Sequence, residues 1–135
     1  FLDHRDPLRL RGALDAQDPL MPRALQASGP VAALAAAGRE AAVIGVGRSG
    51  AAAARLLRAA GVAVYASDAG AGAKLTPLAD ALRTEGIDVQ LGGHDLARIA
   101  KAGVVVVSPG VPPDVPPLRA AREAGVPIVS EVELA

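Results

Sequence analysis

The feature that most constrains this chain is a glycine-spaced turn, Gly45-Val46-Gly47-Arg48-Ser49-Gly50, set between two segments of different character. Before it, Ala41-Ala42-Val43-Ile44 is a short continuous apolar run, the signature of a strand buried on both faces. After it, residues 51–60 are rich in good helix formers and close on Gly61. Strand, glycine turn and helix in that order form the context in which a GxGxxG spacing carries physical meaning. Gly45 allows the tight turn, Gly47 lets a phosphate approach the backbone, and Gly50 lets the helix pack close to the strand. The first-turn N–H groups, joined by the Ser49 hydroxyl, then face an anion. The alternative is a purely structural turn, and the motif alone names no ligand.

The same alternation continues. Residues 62–66 are a second apolar strand ending at Ser67-Asp68. Thr76 is a plausible N-cap, with Pro77 at the first helical position of a helix running to Thr84. Residues 87–91 alternate as an edge strand should, and Asp95 caps a short helix over 96–102. Val104-Val105-Val106-Val107 is the most apolar strand. A proline-rich loop then leads to a helix over 118–124. The last strand, 126–129, contains Pro127, which lacks an N–H and favours an edge position. Repeated strand and helix imply an α/β fold: a Rossmann-like, doubly wound, five-stranded parallel sheet. Right-handed crossovers give the expected strand order 3-2-1-4-5.

Residues 1–38 read differently. Pro7, Pro19, Pro22 and Pro30 interrupt any helix, and the leucines keep no period. This segment is expected to be a loosely ordered leader with a turn or two of helix, ahead of a domain over 39–135. Met21 is a possible internal start. The run Ser130-Glu131-Val132-Glu133-Leu134-Ala135 reads as the first turn of a helix, so more protein is expected to follow.

Composition narrows the function. With 14 basic and 14 acidic side chains and no basic run, nucleic acid is a poor partner. Phe1 and Tyr65 cannot make a base-stacking platform. There is no cysteine, and His4 and His94 lie far apart, which disfavours a metal site. No run reaches the roughly 20 apolar residues of a membrane span. No GxxxxGK[ST] is present. The candidates are therefore binding residues. Asp68 stands where a dinucleotide site puts its ribose-binding acid, or is simply a turn aspartate. Ser108-Pro109-Gly110 ends the fourth strand and is expected across the crevice from the glycine turn, at the switch point where strand order reverses. His94, in Gly92-Gly93-His94-Asp95, reads as a loop histidine beside a helix cap, since no catalytic partner lies at an informative spacing. An NAD(P)-binding module of a dehydrogenase, or a nucleotide-sensing regulatory protein, also explains the glycine turn and Asp68.

Residues 42–50, Tyr65 to Asp68, the stretch from Val104 through Ser108-Pro109-Gly110-Val111-Pro112, and the Ser-Glu-Val-Glu-Leu exit together resemble the N-terminal domain of the Mur ligases. Within that family the turn and exit look most like the branch that adds D-glutamate to UDP-N-acetylmuramoyl-L-alanine. The resemblance covers about residues 40–135. It implies a cytoplasmic, multidomain, ATP- and magnesium-dependent ligase of peptidoglycan synthesis, whose N-terminal domain holds the UDP end of the substrate. ATP and metal would be held by the remaining domains of the chain, so the fragment alone is expected to be inactive. By resemblance, Arg48 and Ser49 meet the diphosphate in the cradle made by Gly45, Gly47 and Gly50. Asp68 and the residues after it lie near the uridine, and Ser108, Pro109 and Gly110 line the same pocket. The chain departs from the family at Ala69-Gly70, where polar or basic residues are usual, leaving nearby Lys74 as a substitute for the uracil contact.

Overall fold

The computed structural model describes residues 30–131. The upstream part of the expected leader, Met21 and most of the exit run lie outside them. The elements follow in the order α1 (Pro30–Ala37), β1 (Glu40–Ile44), α2 (Arg48–Ala59), β2 (Ala63–Asp68), α3 (Thr76–Thr84), β3 (Asp88–Leu91), α4 (Leu96–Ala100), β4 (Val104–Val107), α5 (Pro116–Glu123) and β5 (Ile128–Ser130). All strand pairs are parallel, in the order β3-β2-β1-β4-β5. The expected α/β sheet and strand order are both present.

The period of two along β1 divides the core. Ala41 and Val43 face one helix layer, where Leu57 of α2 and Leu82 of α3 are fully buried. Ala42 and Ile44 face the other, against Ile99 and Leu118. Burying each of those leucines stabilises the fold by about 1.5–3 kcal/mol. Small strand residues let the helices lie close, so the sheet is thin and needs few aromatics. At the amino ends of the strands, Arg98 of α4 makes a paired ion bridge to Glu40 at 2.8 and 2.7 Å, bonds Asp88, and stacks 4.3 Å from the centre of the Tyr65 ring. That one side chain ties β1, β2 and β3 to α4.

α1 is the turn or two of helix expected in the leader, and its Leu34 and Ala35 pack against the core. Leu34 lies so close over Gly103 that a Cβ there would overlap it. An apolar run needs a surface to cover, and the start of β4 supplies one. Two details differ from expectation, at Thr76 and at Pro127. Thr76 is not the cap of α3: Leu75 holds that position, and the Thr76 hydroxyl donates to the Gly72 carbonyl instead. A turn closed by Leu75 N–H on Gly72 O precedes the helix and shifts its start by one residue. Pro127 lies just before β5 rather than inside it, where its carbonyl accepts from Val105 N–H. β5 is an edge strand.

Candidate functional site

The carboxyl ends of β1, β2 and β4 meet at the reversal of strand order. Ile44 is in register with Ser67 on one side and Val107 on the other. The pairing runs past the strand ends: Gly45 N–H donates to Ser67 O at 2.8 Å, and Ser108 N–H to Ile44 O at 3.2 Å. Three turns are thereby gathered around a cavity of about 310 Å3.

The first turn is a cradle of backbone. Gly45 sits at φ +99°, which a side chain would strain. A Cβ on Gly50 would overlap the Gly45 carbonyl oxygen, so this contact between turn and helix requires glycine. Gly47 has open space where its Cβ would be. It caps α2 without a side-chain hydrogen bond, so the first-turn N–H groups keep their anion-binding capacity. Arg48 and Ser49 are exposed at this end of α2. Buried Val46 anchors the turn from below. The Ser108 hydroxyl is buried under Gly45 and Gly50 and has no hydrogen-bond partner.

Asp68 lines the cavity, but both its oxygens already hold backbone. Oδ2 accepts from Val46 N–H and Oδ1 from Gly70 N–H, each at 2.8 Å. The acid clamps the glycine turn to the end of β2, and its spare lone pairs are what remain for a ligand. Gly110 lines the cavity beside Val111 and Pro112, and Pro109 is exposed next to it. Lys74 is exposed and is not among the lining residues.

His94 was read from the sequence as a loop histidine beside a helix cap, and the structure adds where it sits. It lines the cavity, and its Nδ1 lies 2.6 Å from the hydroxyl of Ser67, which is completely buried. Burial lowers the His94 pKa, with the Asp68 carboxylate opposing that shift, so the neutral ring is favoured. The loop is held from both sides. Gly92 N–H donates to Gly70 O and Gly93 N–H to Asp68 O. The Tyr65 hydroxyl accepts from Asp95 N–H and donates to Gln90 Oε1. Asp95 caps α4 by accepting from Arg98 N–H at 3.0 Å. The available signal was the phase of β2, which puts Tyr65 and Ser67 on the same face as the histidine turn.

Residues 39–130 match the model of the Mur ligase MurD-like N-terminal domain. The chain belongs to this family. It is 45% identical over 98 residues to the UDP-N-acetylmuramoylalanine--D-glutamate ligase of Acidobacterium capsulatum, covering 73% of this chain and 21% of that protein. Among solved structures, the pseudomurein peptide ligase type C of Methanothermus fervidus aligns with a TM-score of 0.60 and 29% identity, over 70% of this chain and 19% of that one. The UDP-N-acetylmuramate-alanine ligase MurC of Thermotoga maritima shares the fold at a TM-score of 0.59 and 24% identity, over 70% and 21%. The chain thus spans about a fifth of the length of the ligases it matches.

Proposed function

We propose that this chain is the domain that holds the UDP end of UDP-N-acetylmuramoyl-L-alanine in a ligase that adds D-glutamate to it during peptidoglycan synthesis. The observation that carries this reading is the uncapped start of α2, with open space at Gly47, directly beside a cavity large enough for a nucleoside. The diphosphate sits on the first-turn N–H groups, with Arg48 adding charge and Ser49 a hydroxyl. The uridine enters the cavity between Asp68 and Gly110. Val111, Pro112 and Val115 supply its apolar wall.

In such a ligase ATP and magnesium activate the substrate carboxylate as an acyl-phosphate. The residues present do not fit them. The chain has no GxxxxGK[ST], and among the described residues no three His, Cys, Asp or Glu side chains group to hold a metal. We assign both to the remaining domains of the protein. By the same likeness we assign it to the cytoplasm; among the described residues no helix is long and apolar enough to cross a membrane. Calorimetry with UDP-N-acetylmuramoyl-L-alanine and with NAD tests the reading. We expect the UDP ligand to bind and NAD to bind more weakly. Tighter NAD binding overturns the proposal.

A further inference from the structure

We propose that His94 reads the nucleotide base by donating its Nε2–H to a pyrimidine carbonyl, with Ser67 as the positioning residue that holds the ring in that tautomer. The inference rests on the UDP-binding reading above and goes beyond it by naming what selects the base.

The cavity offers few polar groups. Of its lining residues only Asp68 and His94 carry polar side chains; the others are apolar or glycine. A carboxylate accepts and cannot donate, so His94 is the one lining side chain with an N–H to give. Its proton is placed by Ser67, which is completely buried. One hydrogen lies between Ser67 Oγ and His94 Nδ1. If Nδ1 carried it, the Ser67 O–H would point into the core without an acceptor, which a buried hydroxyl disfavours. If Ser67 donates, both atoms are satisfied, and the neutral ring carries its proton on Nε2. With Nδ1 occupied, Nε2 is the nitrogen left for a ligand.

The ring is also held in place. Gly92 and Gly93 are bonded to the Asp68–Gly70 turn, and Asp95 N–H is bonded to Tyr65. A donor fixed before binding loses little freedom when it binds. Asp68 is near enough for its charge to act on the ring. An acceptor beside a donor complements the imide edge of uracil, where an N–H adjoins a carbonyl. Cytosine presents an unprotonated ring nitrogen and an amino group there, which oppose both.

The test titrates UDP and CDP into the wild-type chain and into His94→Phe, His94→Gln and Ser67→Ala, with folding checked by circular dichroism. We expect the wild type to prefer UDP. His94→Phe should weaken UDP by about tenfold, as for a lost hydrogen bond to a buried carbonyl, and bring UDP and CDP close to equal. His94→Gln, which keeps a donor, should recover part of the preference. Long-range 1H–15N NMR of His94 should show the Nε2–H tautomer in the wild type and a mixture in Ser67→Ala, a change that a merely structural serine would not cause. A folded His94→Phe that still prefers UDP, or a dominant Nδ1–H tautomer, overturns the inference and leaves the UDP reading standing. A wild-type chain that binds neither nucleotide overturns the UDP reading and this inference with it.

Discussion

The β1–α2 turn and the β3–α4 turn face the same cleft, but the first presents backbone and the second presents side chains. Gly45, Gly47 and Gly50 make a surface of N–H groups whose shape depends on what is missing from the glycines. Around His94 the surface is set by separate side-chain hydrogen bonds, Ser67 with His94 and Tyr65 with Gln90 and Asp95 N–H. A backbone surface is indifferent to which phosphate ligand it meets. A side-chain surface with a fixed proton can discriminate. On our reading the first lip supplies attraction and the second supplies choice.

Substitutions can break that division. The largest effect is expected at Gly50→Ala, where the new Cβ meets a carbonyl rather than a yielding side chain. Urea unfolding should show a loss of about 3–5 kcal/mol. Asp68→Ala follows, because it frees the Val46 and Gly70 N–H groups that the carboxylate holds. Unfolding should fall by about 2–3 kcal/mol, since both lost bonds are to a charged group. Gly47→Ala should leave the unfolding midpoint nearly unchanged, because its Cβ points into open space. Calorimetry should nonetheless show UDP weakened about tenfold, the cost of crowding one hydrogen-bonded phosphate. If Gly47→Ala binds normally, the cradle is structural and the division fails.

A pH series sharpens the other lip. Burial lowers the His94 pKa below its ordinary 6.5, so the unfolded chain binds that proton more tightly than the folded one. The stability from neutral His94 is therefore present above about pH 6.5 and is lost as pH falls from there toward the lowered value. Chemical unfolding from pH 7.5 to 5.5 should show this decline, and His94→Phe should flatten it. The smallest effect is expected at Arg55→Ala. Its bond to Glu85, at 2.8 Å, lies at the surface, and thermal melts should not change.

The same contrast explains what could be read from residues alone. The glycine turn, the strand order and the approach of Gly110 were legible because backbone constraints leave marks in composition and spacing. The place of Asp68 was legible but its use was not: an acid at a strand end looks the same whether it holds a ribose or two N–H groups. The place of His94 in the cavity was not legible because its partner, Ser67, is 27 residues away on another strand. Their meeting depends on sheet register and on the phase of β2, and neither residue type announces it. Thr76 misled because a turn begun at Gly72 decides where α3 starts.

The chain has one tyrosine and no tryptophan, and Tyr65 is buried with its hydroxyl bonded to the β3–α4 turn. Its intrinsic fluorescence and near-ultraviolet signal above the phenylalanine band therefore come from a single point. An optical titration of this chain listens to the histidine side of the cleft and is deaf to the glycine side.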